Sequence, residues 1–337
     1  MGKFEIHIHL DKTGALDLCK RGNIIIINRD GRKSGIVRDF YIEEARGGAA
    51  LVIFGDTGSG LTKQRLTVPP TQAQDINALG WDKIRAPAET VIKHYASRNM
   101  VTPFDVQRKF PHLVIVPSRG EGVEMPWRSR FSKLDEELYN ICSYAEMGYE
   151  IYADTANKQW IFDTISGTDR TRNQDAVSPV TFNTEYQNVD SYRYTEDFQN
   201  YKNTGYAGGQ GEDENRLIYI LGGAENSGLN RHETFLDCGN AADITELTYY
   251  GNQKLNEFKE AKTVEALALP RVFIFEKDYF PGDKVSVSVS RLGLSVDARI
   301  TAVKEIWERQ TGYKTEIRFG ERLPTLFTIL NTTKEVR

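Results

Sequence analysis

Cysteine is scarce in this chain. Only Cys19, Cys142 and Cys238 occur in 337 residues, widely spaced and with no CxxC pair. An odd, scattered set excludes a disulfide framework and a zinc site built from thiolates, and it fits a reducing place of assembly. Long apolar runs are also missing: no uncharged stretch approaches the roughly 18 residues a membrane-spanning helix needs. The opening Met1-Gly2-Lys3-Phe4-Glu5-Ile6-His7 has no apolar core or small-residue cleavage site, so no secretory signal is expected. Charge of one sign is absent as well. Lys plus Arg is 43 against 47 Asp plus Glu, a net charge of −4, where a dedicated nucleic-acid binder shows a basic excess. The motifs GxSxG, HExxH and Ser-x-x-Lys do not occur. What is abundant is glycine (28), tyrosine (16) and phenylalanine (16) in a chain long enough for two or three folding units. The expectation is a soluble, intracellularly made, multi-domain protein.

Strand signals open the chain. Phe4, Ile6, Ile8 and Leu10 alternate with Glu5, His7 and His9, the period of a half-buried strand. Ile24–Ile27, between Arg21-Gly22 and the turn Asp30-Gly31, reads as a buried strand. Ser34–Glu43 and Ala49–Gly55 follow, so four strands with regular turns suggest a small barrel or sandwich. The pattern changes after Val68-Pro69-Pro70, because proline lacks a ladder donor. Pro87 suits the first turn of a helix over Ala88–Ser97 with Val91, Ile92 and Tyr95 on one side. Leu134–Met147 repeats apolar residues at three and four, with Gly148 as its expected C-cap. Two strands, Glu150–Ala153 and Gln159–Asp163, flank the turn Asn157-Lys158.

Further strands are expected at Val180–Phe182, Thr204–Ala207 and Leu217–Leu221. A polar helical segment is expected over about Leu247 to Leu267, ended by Pro270. Arg271–Glu276, Lys284–Arg291, Leu294–Ile306 and Lys314–Phe319 then read as a second run of antiparallel strands, and Leu326–Arg337 as a loosely held end. The fold class is therefore α+β and β-rich, with two small antiparallel β-barrel domains flanking a mixed α+β middle domain. The expected boundaries are 1–74 with about 196–240 for the first barrel, 75–195 for the middle, and 241–337 for a helix plus the closing barrel.

Each candidate for chemistry has a plainer reading. His7 and His9 share a strand face, as in binuclear metal hydrolases, but only His94, His112 and His232 remain as further ligands and the βα alternation is missing. The solvent face of an edge strand explains them better. Gly55–Lys63 fails the phosphate-loop order, since Leu61 stands where the lysine belongs, and reads as a glycine-rich loop leaving a strand. Gly208-Gly209-Gln210-Gly211-Glu212-Asp213-Glu214 fails the dinucleotide pattern at Glu214 and reads as a wide hairpin. Glu121 with Glu124 could form a glycosidase pair only if one carboxyl sat in an apolar pocket, and Gly120–Glu124 reads as an exposed loop. Cys142 lies on the apolar side of its helix and reads as core. No catalytic, cofactor-binding or metal residues are assigned.

Asn200-Tyr201-Lys202-Asn203, Gly208-Gly209-Gln210-Gly211-Glu212 and Gly228-Leu229-Asn230-Arg231-His232-Glu233 together resemble the ReqiPepy-type siphovirus tail hub proteins. Other segments agree in order: Gly35-Ile36-Val37 with Leu51–Gly55 and Arg65 beyond, Pro87–Asn99, Gly167-Thr168-Asp169-Arg170-Thr171, Gly282-Asp283-Lys284-Val285, Ala298-Arg299-Ile300 and Phe319-Gly320. The likeness covers nearly the whole chain. It departs at Asn230 and His232, where the family more often has Asp and Arg, which weakens any salt bridge carried over. The resemblance assigns structural roles to Asp169, Arg170, Asn200, Tyr201, Asn203, Gly208, Gly209, Gly211, Arg231, Glu233, Gly282 and Asp283. It implies a non-enzymatic hub similar to the baseplate hub of contractile tails. In such hubs a homotrimer sets two related barrels per copy into a six-fold-like ring, joining the six-fold tail tube to a three-fold spike or plug.

The implied partners are the tail tube or distal tail protein, spike, plug or tail-fibre-associated proteins, and the tape measure protein. DNA meets the hub only in transit, no cofactor is implied, and no stable membrane insertion. The implied place is the virion tail tip or baseplate, assembled in the host cytoplasm. Because the chain stops soon after the closing barrel, receptor-binding and wall-degrading tasks are expected of other proteins. A tail-associated cell-wall hydrolase is the alternative, on surplus carboxylates alone.

Overall fold

The computed structural model describes residues 2–20, 22–45, 48–69, 80–223, 225–239, 241–269, 272–289, 293–309 and 312–320. The expected loose end at Leu326–Arg337 lies outside them. The chain divides into two compact units, 1–166 and 167–337.

In the first unit, β1 (Lys3–His9), β2 (Ile24–Ile26), β3 (Ser34–Ala45) and β4 (Gly48–Thr57) form a sheet in the order β1-β4-β3-β2. All its pairings are antiparallel. Alternation along β1 is as read: Phe4, Ile6 and Ile8 pack with Val37, Leu51 and Ile53 around Ala15, while Glu5, His7 and His9 face solvent. The sheet is open, with β1 and β2 as its edges, so it is a half-barrel rather than a closed barrel. Ile24–Ile27 is accordingly not a buried strand. β2 has one neighbour, β3, and Ile24 is half exposed, because an edge strand is covered on one side only.

β5 (Asp82–Pro87), α1 (Ala88–Ala96), β6 (Leu113–Ile115), β7 (Glu124–Ser129), α2 (Leu134–Ala145), β8 (Gly148–Asp154) and β9 (Gln159–Ile165) follow. β5 pairs β7, and β6-β9-β8 form a three-stranded sheet. Val91, Ile92 and Tyr95 of α1 and Leu134, Leu138 and Ile141 of α2 are fully buried, so the 3.6-residue pattern placed both helices correctly. Burial of each such side chain stabilises by about 1.5–3 kcal/mol. Gly148 is not the C-cap of α2. Glu146 takes the left-handed turn at φ 54°, and Gly148 already begins β8. β5 and β7 escaped the sequence reading because Pro87 and Pro126 lie within them. Gly58–Gln64, expected as a loop, is a buried 3₁₀ helix whose Gly58 leaves no room for a Cβ against the Ile151 carbonyl.

In the second unit come β10 (Asp169–Arg170), β11 (Thr181–Asn183), β12 (Val189–Asp197), β13 (Thr204–Gly208), β14 (Ile218–Leu221), β15 (Glu233–Asp237), α3 (Ile244–Asn256), β16 (Ala261–Ala268), β17 (Lys284–Val289), β18 (Leu294–Glu308) and β19 (Gly312–Gly320). A seven-stranded sheet runs β10-β17-β18-β19-β16-β12, with β11 also on β17. It too is open, and β10 and β11 run parallel to β17, so the closing domain is neither a closed barrel nor wholly antiparallel. Phe182, Tyr279, Val285, Ile300, Ile317 and Phe319 form its core.

Two expectations fail here. The helix over Leu247–Leu267 ends at Asn256, and 261–268 is β16. Val264, Ala266 and Ala268 alternate into the core, so period two prevails over the helix propensity of Ala, Glu and Leu. Of the strand expected over Arg271–Glu276, position 271 lies outside the described residues and 272–276 form no strand: Phe275 makes one isolated bridge to Tyr279, and Glu276 has φ 64°. The third sheet, β14-β13-β15, packs Ala207, Leu221 and Leu236 against Leu247 of α3.

Candidate functional sites: charge clusters and an open sheet face

The residues first tested for chemistry are dispersed. His7 Nε2 lies 2.6 Å from Glu5 and His9 Nδ1 3.3 Å from Asp11, both on the solvent face of β1. No group of three or more potential metal ligands gathers among the described residues. Lys63 is held by Asp56 at 2.7 Å, and Asp56 also meets Arg38 at 3.3 Å. Glu121 pairs with Arg119 and Glu124 with Arg85, each at about the surface. Neither carboxyl sits in the apolar pocket a general acid requires. Cys142 is buried on the apolar side of α2.

A buried ionic cluster lies in the first unit instead. Glu89 in the first turn of α1 is fully buried, and Lys93, one turn on, is nearly so. Lys93 Nζ bridges Glu89 Oε1 at 2.6 Å and Asp163 Oδ1 at 2.9 Å. The backbone amides of Arg119 and Glu121 donate to Glu89 Oε2 at 2.7 and 3.0 Å, and Thr164 Oγ1 donates to Oε1 at 3.2 Å. The Arg119 guanidinium closes the cluster, 3.4 Å from Glu89 and 3.2 Å from Asp163. Burial works to raise the Glu89 pKa. The Glu121 amide, Lys93 and the Arg119 amide outweigh it and hold it down at about 2. Sequence reasoning missed this cluster. Its one local signal was Glu89 and Lys93 four apart on a helix.

The motif residues of the second unit gather in two places. Asp283, 2% exposed, clamps the turn before β10: its Oδ1 accepts the Thr168 amide at 2.8 Å, and its Oδ2 accepts Arg170 Nε at 2.8 Å and the Phe280 amide at 3.0 Å. Gly167 (φ 70°) passes so close to the Gly282 carbonyl that a Cβ there would stand 2.0 Å from its oxygen. Asp169 does not join the clamp. Its carboxylate accepts the Thr171 amide at 2.9 Å, and that bond and a further one to Thr171 lower its pKa.

Asn203 ties the second place together. Its Oδ1 accepts the His232 amide at 2.9 Å, its Nδ2 donates to the Asn230 carbonyl at 2.6 Å, and Tyr201 meets the His232 ring edge-on at 5.5 Å. Arg231 Nε donates to Glu233 at 2.5 Å and Arg231 Nη2 to the Tyr206 hydroxyl at 3.3 Å. These contacts, Glu233 first, raise the Arg231 pKa. Asn230 contributes its carbonyl and His232 its amide and ring, so their departure from the family pattern leaves this junction intact. Asn200 sits half-buried in the turn after β12. Gly208 and Gly209 admit close neighbours, Phe235 and Arg216 to the first and the Ala241 carbonyl to the second. Gly211, at φ 107°, turns the β13–β14 hairpin, so the glycine-rich segment is a hairpin as read.

Among the described residues, no element packs on the face of β14-β13-β15 away from α3. Register sets Ile220, Tyr206 and Phe235 in one row, with Ile218 beside Gly208. Ile218, Ile220 and Phe235 are each about half exposed, and in the first unit so are Phe40 and Ile42 of β3. No helix is long and apolar enough to cross a membrane among the described residues.

A family model described as Siphovirus ReqiPepy6 Gp37-like protein matches residues 1–321. Among solved structures, the fold is similar to the 43 kDa tail protein of prophage MuSo2 from Shewanella oneidensis. That likeness covers 94% of this chain and 88% of the other, with 11% identity and a TM-score of 0.56. The tail protein from Neisseria meningitidis MC58 is similar over 86% of this chain and 79% of its own, with 12% identity and a TM-score of 0.52. Prophage tail protein gp18 from Listeria monocytogenes EGD-e is similar over 99% and 89%, with 12% identity and a TM-score of 0.50. No curated protein matches the sequence. At these identities the structures share the fold alone.

Proposed function

We propose that this chain, which belongs to the Siphovirus ReqiPepy6 Gp37-like protein family, is the structural hub of a phage or phage-like tail tip or baseplate. The observation that carries this reading is a family match that runs through both units rather than through one. The fold shared with three tail proteins supports it.

In this reading three copies form a ring that joins the six-fold tail tube to a three-fold spike or plug. The open sheet β1-β4-β3-β2 supplies one tube-like half-barrel and the sheet β10-β17-β18-β19-β16-β12 the other. Half-barrels with free edges suit such a role, because an open sheet finishes its hydrogen bonding and apolar cover on a neighbour. Phe40, Ile42, Ile218, Ile220 and Phe235 are among the exposed apolar side chains available for those contacts. The tube or distal tail protein, the spike or plug, and the tape measure protein are its partners, and DNA passes without being held. Three free cysteines, two of them buried, fit assembly in the reducing host cytoplasm.

The hub acts without catalysis. Copy number per assembled particle tests the reading: three supports a trimeric hub, and one or six contradicts it. Purified protein is expected to clear no zone on cell-wall substrate. Reproducible clearing abolished by Glu121→Gln or Glu124→Gln decides for the hydrolase.

A further inference from the structure

Buried cations are ordinarily paired, and the guanidiniums already described have carboxylates: Arg119 has Glu89 and Asp163, and Arg170 has Asp283. Arg65 and Arg108 do not. Both are half-buried and line a cleft of about 260 Å³ with Gln64, Gln107, Leu66 and Val68. No carboxylate pairs with either among the described residues.

What holds them is backbone and ring. Arg65 Nε donates to the Arg108 carbonyl at 2.8 Å, Arg65 Nη1 to the Gln64 carbonyl at 2.9 Å, and the guanidinium lies 4.0 Å over the Phe110 ring. Arg108 Nη2 donates to the Leu66 carbonyl at 2.6 Å and to Asn99 Oδ1 at 3.3 Å. Asn99 is buried and itself fixed, through Tyr95 and the Val68 amide. Among the described residues, Arg65 Nη2 and Arg108 Nε and Nη1 have no hydrogen-bond partner. Asp105 is felt by Arg108, but its carboxylate accepts the Gln107 amide. Burial lowers the pKa of Arg65; burial, then repulsion from Arg65, lowers that of Arg108.

Two oriented, partly desolvated forks facing one cleft, with donors unspent, make a receptor for a planar or tetrahedral anion. We propose that Arg65 and Arg108 form a binding site for a single oxyanion group, a carboxylate or a phosphate. A carboxylate comes from an acidic side chain of a neighbouring protein, and a phosphate comes from solution. The site stands independently of the hub reading, since it needs only the first unit.

The test uses the full chain at low ionic strength, labelled with nitrogen-15 and followed through the arginine Nε–H resonances. One arm titrates inorganic phosphate, the other a capped Gly-Glu-Gly peptide. A saturable shift of the Arg65 and Arg108 signals is expected in at least one arm, and the arm that responds identifies the source. Arg65→Lys and Arg108→Lys keep the charge but lose the fork, and each is expected to weaken binding by about tenfold. Arg85→Lys, at an exposed pair with Glu124, leaves it unchanged. No saturable shift in either arm, or equal affinity in the doubly substituted chain, overturns the proposal. If a lysine variant loses its fold by circular dichroism, the titration of the unaltered chain alone decides.

Discussion

Glu89 in the first unit and Asp283 in the second are both buried carboxylates at the centre of a polar cluster, yet they are satisfied differently. Glu89 faces two cations, Lys93 and Arg119, a second carboxylate behind them, and two amides. Asp283 faces one cation, Arg170, and otherwise backbone amides of the Gly167 turn and of Phe280. The first is a network of charges whose members lose their partners together. The second is a turn clamp in which the backbone does most of the holding. The more charge a buried group balances, the more its removal strands.

The sharpest way to break the comparison is Glu89→Gln. It leaves Lys93 buried between Asp163 and a neutral amide, and a loss of about 3–5 kcal/mol is expected in the unfolding of the first unit, read by urea denaturation. A loss below about 1 kcal/mol means that the cluster re-pairs on Asp163. Acid gives a related result. The folded pKa of Glu89 is lowered from 4.5 to about 2, so its contribution is complete above pH 4.5 and is lost as pH falls from there towards 2. Midpoints measured across that window should fall more steeply for the unaltered chain than for Glu89→Gln. Parallel curves refute the assignment.

Asp283→Asn keeps the size of the side chain and one acceptor, so about 2–3 kcal/mol is expected, confined to the second unit. Calorimetric transitions assigned to the two units separate this change from the first; a shift in the first unit's transition counts against independent clamps. Arg170→Lys loses the fork while keeping the charge, and about 1 kcal/mol is expected. Arg85→Gln removes an ion pair exposed on both sides. It sets the floor of the series, with an effect no larger than about 0.5 kcal/mol on the same melts.

Periodicity was readable where spacing and residue propensity agree. β1, α1 and α2 follow from spacing, and the hairpin β13–β14 from its glycines. It failed where context decides: β16 carries helix-forming residues but is drawn into a sheet between β12 and β19, and β5 and β7 pair although each contains a proline. Edges are equally invisible, which is why β2 looked buried and the half-barrels looked closed.

The family was carried by glycines and short polar motifs strung along the chain in order, each a local requirement of turn or close approach that one residue type meets. Gly167, with its φ of 70° and no room for a Cβ, is such a position. By itself, then, the sequence determined the family, the β-rich class and the helices of the first unit. Tertiary structure alone decided which distant charges meet. Glu89 finds Arg119 and Asp163, Arg170 finds Asp283, and Arg65 meets Arg108 with no carboxylate between them among the described residues. Such pairings join residues 30 to more than 100 positions apart, and no periodicity reaches that far. Their charge and hydrogen-bond energies are large only in a low-dielectric surrounding, which exists only once the chain has closed around them.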